Sequence, residues 1–564
     1  MKDSYSCEKF VEEMRDLLNR LSPLASANEA RRELFIWVNH HQRAAQSGAK
    51  LHWNRSGAVI RDCARSLRSL LSERSERLSK TSLASALYDL ARGIPRPELT
   101  EAFFAELTHL LRGVAQHPDP EPLVAKNHLD CLEGRAAAIS RSADLDKLWE
   151  EAERRMSKYV SGLDLEIVNR RMSRRQRIML AMGATDQDWN SWEWQTSHLV
   201  TTLEQLTNLI TLTPEEHDAV ELVTKHRLPF GITPYYLSLL DDEPSGGHDT
   251  AVRAQVLPPL PLARAMAERQ KDRGETLDFM RESDTSPIDL VTRRYPAICI
   301  LKPFNTCPQI CAYCQRNWEI DQVMDPCAMA DSKQLEQALD WIATHPSIQE
   351  VLITGGDPLG MTDDQIRPIL QRLAEIPHVG VIRIGTRVPA TLPMRLSPAF
   401  ASMLGSFRIP GRREICLVTH IQHPYEITPD LVDAVERIRR QGIGVYNQMV
   451  FTFFISRRFE ASRLRLLLRR AGIDPYYTFV PKGKEETVAY RVPLARILQE
   501  RKEEARLLPG LCRTDEPVFN LPALGKNHIR ALQDRDLVGI HPDGSRIYEF
   551  HPWEKKICGR KTYI

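Results

Sequence analysis

The sequence predicts an α/β protein: a partial (βα)6 barrel with a large N-terminal helical region in front of it. Three observations carry this expectation. Residues 1–180 show apolar positions at three- and four-residue spacing and no strand-like run. After Pro296 short β-branched runs alternate with amphipathic helices. Each run leads toward a helix, which requires parallel strands joined by right-handed crossovers.

In chain order, residues 1–180 form a helical extension, clearest in LLNRLSPLASANEARRELFIWVNHH and RDCARSLRSLLSERSERLSK. The run NRRMSRRQR gathers Arg170, Arg171, Arg174, Arg175 and Arg177. A polyanion site is one reading, and a solvated helix face is the commoner one for such a run. Residues 181–290 continue helical, with Trp189, Trp192 and Trp194, and the Pro-rich VLPPLPLARAM is a candidate boundary. The barrel is assigned to 291–485, with AICIL, EVLIT, GVIRIG, EICLVT, GVYNQMVF and YYTFV as its strands. Between them, TDDQIRPILQRLAEI places Ile366, Ile369, Leu370 and Leu373 on one face after a Thr362 cap. TPDLVDAVERIRRQG does the same with Leu431, Ala434, Val435 and Ile438, capped by Thr428 with Pro429 in the first turn. Residues 486–564 form a C-terminal segment. In such a barrel the active groups belong at the C-terminal ends of the strands.

Composition narrows the function classes. The 76 basic and 74 acidic residues nearly cancel, leaving +2, which gives no case for a nucleic-acid partner. No apolar run reaches membrane-spanning length, and MKDSYSCEKFVEEMRDLL reads as a charged amphipathic helix rather than a signal peptide. A cytoplasmic location is therefore expected. Most of the eleven cysteines are scattered, as free thiols in a reducing compartment would be. Cys307, Cys311 and Cys314 are the exception, a CxxxCxxC motif directly after the first barrel strand. Three thiolates on one short loop suit a cubane iron–sulfur cluster, leaving its fourth iron open. Structural zinc would need a fourth ligand, usually from a second pair, and neither Cys299 nor Cys327 supplies one by spacing. Gly355-Gly356-Asp357 ends the next strand; alone it is a turn, but one strand after the cysteines it becomes a ligand-approach loop.

These motifs resemble the radical S-adenosylmethionine (SAM) superfamily, and the surrounding sequence is similar to the lysine 2,3-aminomutase family. The likeness runs in order through DWNSWEWQ, ITPYYLSLLDD, DTSPIDLVTRRYP, ITGGDPL, IPHVGVIRIGTRVP, THIQHPYEITP and GVYNQMV, across roughly residues 186–550. It implies that the cysteines hold a 4Fe–4S cluster, that Gly355, Gly356 and Asp357 hold the methionine end of SAM, and that a 5′-deoxyadenosyl radical abstracts hydrogen from the substrate. It also implies pyridoxal 5′-phosphate (PLP) carried by Lys526, at the end of NLPALGK, where the family's glycine run is shortened to ALG. Arg294 and Tyr295 match positions near the PLP phosphate and ring, with Arg383, Arg387 and Arg395 as further phosphate candidates. His420, Gln422 and His423 are placed to line the cavity. No cysteine zinc site is expected toward the C-terminus.

For the substrate, Arg316 matches the family's carboxylate-binding arginine; a structural arginine is the alternative. Where the lysine enzyme presents two aspartates to a distant ammonium group, this chain has Lys482 and Asn520. A cation and an amide suit a carboxylate instead. That pairing resembles the glutamate 2,3-aminomutases, so L-glutamate to β-glutamate is the expected reaction, with Lys484 an alternative to Lys482. Lysine or another amino acid, free or protein-attached, remains open. So does a non-catalytic iron–sulfur or zinc protein with a helical partner-binding half. A low-potential donor such as flavodoxin or ferredoxin and a homo-oligomer are the expected partners.

Overall fold

The computed structural model describes residues 5–47, 55–115, 132–244, 247–269, 278–316, 319–481, 485–530 and 535–551. The chain divides into two compact units, residues 139–528 and residues 1–138 with 529–564.

The larger unit is built on one sheet of nine strands in sequential order. These are β1 Val291–Tyr295, β2 Ile298–Phe304, β3 Glu350–Gly355, β4 Val381–Gly385, β5 Glu414–Thr419, β6 Gly444–Val450, β7 Asp474–Phe479, β8 Glu516–Leu521 and β9 Gly525–His528. From β2 to β8 every pairing is parallel. β1 and β9 close the two edges as antiparallel strands. The six predicted strands are β2 to β7. The seventh parallel strand and both antiparallel flanks were missed, because EPVFNL is broken by Pro517 and its neighbour GKNH is too short and polar to read as a strand.

A helix follows each of the strands β2 to β7, and its face is set by the sequence. In Asp363–Glu375, Ile366, Ile369, Leu370 and Leu373 are buried, and Thr362 with Gln365 forms a capping box. In Pro429–Arg439 the buried set is Leu431, Ala434, Val435 and Ile438, with the Thr428 hydroxyl accepting from Leu431 N–H. These stripes cover the outside of the sheet and leave the strand ends to carry polar groups. The Pro-rich stretch 256–266 lies inside this unit, around the helix Leu260–Arg269.

The smaller unit gathers Phe10, Leu21, Leu34, Leu67, Leu87, Phe104 and Leu107 into one apolar core. The hairpin β10 Arg535–Ile540 and β11 Arg546–Phe550 belongs to it, and Ile540 and Leu537 join that core. Among the described residues no helix is long and apolar enough to cross a membrane.

Candidate active site

The cysteine loop leaves the end of β2 and is pinned by backbone bonds from outside itself. Ile310 N–H donates to Gly231 O at 3.2 Å and Ala312 N–H to Gln255 O at 2.8 Å. The loop closes on itself through Cys314 N–H to Cys311 O at 3.0 Å and Met324 N–H to Cys307 O at 3.2 Å. Burial, then Asp357, Cys314 and Cys311, push the Cys307 thiol well above its ordinary value. Buried and beside other anionic groups, such a thiol is held as a thiolate only when a cation neutralises it. Two of the three sulfurs already have donors aimed at them: Arg387 Nη1 donates to Cys311 Sγ at 2.9 Å, and Arg316 N–H to Cys314 Sγ at 3.3 Å. This donor set fits a cluster bound through three irons. Cys299 is buried within β2 and Cys327 is exposed.

The Gly355-Gly356-Asp357 turn packs directly on the cysteine loop. Gly355 has φ +119°, in the region that favours glycine. A Cβ on Gly356 would lie 2.0 Å from Thr306 O and 2.5 Å from Thr306 N, so only glycine fits there. Gly356 N–H donates to Phe304 O at 2.9 Å and Asp357 N–H to Thr306 O at 2.8 Å. The Asp357 carboxylate is committed within the turn, accepting from Leu359 N–H at 3.0 Å and Arg387 N–H at 2.7 Å. Its part in a ligand site is thus to hold the turn's shape.

Lys526 stands on β9, directly across from Asn520 on β8. Its Nζ lies 5.1 Å from the ring centres of both Tyr295 and Tyr477, and its backbone N–H donates to the Tyr295 hydroxyl at 2.5 Å. Burial, then Arg383 and Arg294, lowers the ammonium to about 8. A lysine in this state is far more often a neutral amine near physiological pH than an exposed one, though the ammonium still predominates below pH 8. Arg383 is joined to Glu350 and donates to the Tyr476 hydroxyl at 2.7 Å. Arg294 donates to the Thr285 hydroxyl at 3.2 Å, and its buried Nη2 faces Glu282 Oε1 at 3.5 Å, a charge contact without hydrogen-bond geometry.

A cavity of about 290 Å³ is lined by Cys311, Cys314, Tyr313, His420, Tyr490 and Asn520 among others, whereas Lys526, Arg294, Tyr295 and Arg316 are not in its lining. Its described lining holds no carboxylate and no ammonium group. His420 is lowered to about 4 by burial and then by Arg387, so it is neutral. Its Nδ1 donates to Gln448 O at 2.7 Å, leaving Nε2 to accept from the Tyr313 hydroxyl at 2.9 Å and Gln422 at 2.8 Å. The Asn520 Oδ1 is buried without a partner, an unmet polar atom on the wall nearest Lys526.

With this geometry, the comparisons with known proteins become informative. An uncharacterized KamA family protein of Methanocaldococcus jannaschii is 44% identical over 515 residues, covering 88% of this chain and 82% of its own. The chain belongs to the radical SAM lysine 2,3-aminomutase family. Clostridioides difficile glutamate 2,3-aminomutase is 34% identical over 56% of this chain and 70% of its own length. Acetoanaerobium sticklandii L-lysine 2,3-aminomutase is 34% identical over 55% and 71%. No protein-family profile matches the chain. Among solved structures, Streptococcus suis SuiB bound to S-adenosylmethionine aligns at TM-score 0.30 and 13% identity, over 55% of this chain and 68% of that one.

Family membership gives the separate residues one frame. Of the three extra arginines considered for the PLP phosphate, only Arg383 is near enough to Lys526 to depress it. Arg387 is turned to the cysteines, and Arg395 is bonded to Leu359 O at 3.1 Å and Met361 O at 2.9 Å, with Phe400 at 4.1 Å. Arg316 is buried, with Nη2 on Glu282 at 2.7 Å and Nη1 on Glu319 at 3.2 Å. His423 does not line the cavity: it accepts from Tyr425 N–H and meets Glu460 at 3.3 Å. Lys482 and Lys484 lie outside the described residues. The Arg170–Arg177 run is a solvated face only in part: Arg170 and Arg177 are exposed, whereas Arg171 and Arg174 are buried against Asp430 at 2.6 Å and Asp241 at 3.0 Å. Glu282 is the residue the sequence reading missed, gathering Arg294, Lys302 and Arg316 around one carboxylate. It sits in no motif, two residues ahead of the matched DTSPIDL, so no spacing points to it.

Proposed function

We propose that this chain is a PLP-dependent radical SAM 2,3-aminomutase that converts L-glutamate to β-glutamate (3-aminoglutarate). The observation that supports it most is a single cavity with the cysteine loop on one wall and Asn520, the cross-strand partner of Lys526, on another. Cys307, Cys311 and Cys314 would hold the 4Fe–4S cluster. The turn of Gly355, Gly356 and Asp357 would hold SAM, and Lys526, Arg294 and Tyr295 would hold PLP. When bound, the cluster and SAM supply a carbon radical that takes hydrogen from an unactivated C–H bond, and PLP supplies the π system across which nitrogen moves.

The chain's own residues position and shield this chemistry. Lys526 loses its proton more readily than an exposed lysine, and Tyr295 and Tyr477 cover its Nζ with aromatic surface. Arg316, its guanidinium fixed by Glu282 and Glu319, reads the substrate's α-carboxylate. Tyr313 and His420 form a neutral wall, braced by hydrogen bonds from the buried Gln422, which is not in the cavity lining. The electron comes from a small low-potential donor of the flavodoxin or ferredoxin class.

Glutamate is favoured over lysine by charge. The described lining offers neither a carboxylate for an ammonium nor a cation for a carboxylate, so the preference rests on Lys482 and Asn520 standing where the lysine enzymes carry two aspartates. Asn520 lines the cavity, as does Pro481, the residue before Lys482 in the sequence. The test is a variant carrying both Lys482→Asp and Asn520→Asp, assayed after anaerobic reconstitution. The glutamate-to-lysine ratio of kcat/KM is expected to fall at least about tenfold, the loss of one charge-paired contact. An unchanged ratio would show that neither residue reads the distal group.

A further inference from the structure

We propose that Arg387 sets the reduction potential of the cluster, acting with Glu426 as a fixed charge pair behind Cys311. The inference rests on the cluster assignment above and goes beyond it.

Arg387 begins the short helix Val388–Thr391 after β4 and is 7% exposed. Its Nη1 donates to Cys311 Sγ at 2.9 Å. Nη2 donates to the Tyr236 hydroxyl at 3.0 Å, to Glu426 Oε1 at 2.9 Å and to Gln255 Oε1. Its own N–H donates to Asp357 at 2.7 Å. The guanidinium is therefore fixed from several directions and has no room to turn away from the sulfur. Glu426 is equally fixed and fully buried. Its Oε1 also accepts from the Tyr236 hydroxyl at 2.9 Å, and its Oε2 accepts Gln422 N–H at 2.7 Å and His423 N–H at 3.1 Å.

Reduction adds one electron, and hence one negative charge, to a cluster. A cationic donor on a ligand sulfur stabilises that charge, and hydrogen bonds to sulfur and net local charge are among the factors that set iron–sulfur potentials. A buried site screens such charges weakly. Arg387 therefore raises the potential, and Glu426, behind the guanidinium, lowers it. The electron comes from a low-potential one-electron donor, whose oxidised form is the only other product, and no bond breaks. A group present only to brace the loop would have no need to place a charged N–H on the sulfur itself.

The experiment uses the full chain, reconstituted anaerobically with iron and sulfide, with Arg387→Gln, Arg387→Lys and Glu426→Gln beside the unmodified protein. Iron and sulfide are counted per chain, and the reduced-cluster paramagnetic signal is followed through a mediated redox titration. Arg387→Gln is expected to lower the reduced-to-oxidised ratio at a fixed ambient potential about tenfold, Glu426→Gln to raise it, and Arg387→Lys to fall between Arg387→Gln and the unmodified chain. Midpoints that stay put in both Gln variants, or move in the same direction, would overturn the proposal. Should Arg387→Gln fail to hold iron, Glu426→Gln decides alone, because it keeps the Arg387 to Cys311 contact, and an unraised midpoint there overturns it. An unmodified chain that binds no four-iron cluster would instead remove the cluster assignment, and this proposal with it.

Discussion

At the scale of single residues the chemistry turns on Lys526. Its folded value, about 8, lies below that of an exposed lysine because burial, Arg383 and Arg294 all oppose the charged form. The folded state therefore binds its proton less readily than the unfolded chain does. This group costs stability below pH 8 in full, and the cost disappears as pH rises past the unfolded value near 10.4. Reactivity follows the neutral amine, so the rate at which the PLP-free protein captures PLP should climb with pH and level off above about 8. Replacing Arg383 by Gln removes the second cause of the shift. The midpoint of that profile is then expected to move upward, measured by the absorbance of the lysine adduct against pH. A profile identical to that of the unmodified protein would show that Arg383 exerts no charge on Lys526. Glu282 meets Arg294 at 3.5 Å and Arg316 at 2.7 Å, so these two arginines share one counter-ion.

At the scale of elements the site is a contact between turns. Gly356 has no space for a side chain against the Thr306 backbone, so Gly356→Ala must push the two loops apart. The expected cost is about 1–3 kcal/mol, as for other overpacked positions. It should appear as a lowered melting temperature together with loss of iron retention. A variant with normal stability and full iron content would mean the loops tolerate separation. Much of this level was legible in the sequence. The helices Asp363–Glu375 and Pro429–Arg439 bury the residues their spacing marked, because one apolar face and a good cap leave few alternatives. β8 and β9 were not legible, since Pro517 and the polar GKNH carry no strand signal and owe their state to pairing with β7 and with each other. Lys526, found through its motif alone, therefore stands on a strand that no local signal marks. Arg171 and Arg174 show the converse limit: a basic run looks solvated until the folded chain brings Asp430 and Asp241 to it.

At the scale of the whole molecule, the N-terminal helices share their core with the C-terminal hairpin, through Ile540 and Leu537. The 515 residues matched by the M. jannaschii relative exceed the span 139–528, so the likeness reaches into the smaller unit. Deleting residues 1–138 alone would strip β10 and β11 of the apolar surface they pack on. Limited proteolysis of that truncation should cut within 529–551 well before it cuts within the barrel. Removing both segments should abolish the early cut and leave the barrel's protection intact. The account's central claim is that the cysteine loop and Lys526 act on one substrate in one cavity. The most direct measurement follows the nitrogen of glutamate labelled with ¹⁵N at C2, in the reconstituted chain and in Lys526→Ala. The account predicts ¹⁵N at C3 of β-glutamate with the unmodified chain, and none with a Lys526→Ala variant that still holds its cluster. Nitrogen that stays at C2 while SAM is cleaved, or that migrates equally well without Lys526, would contradict it.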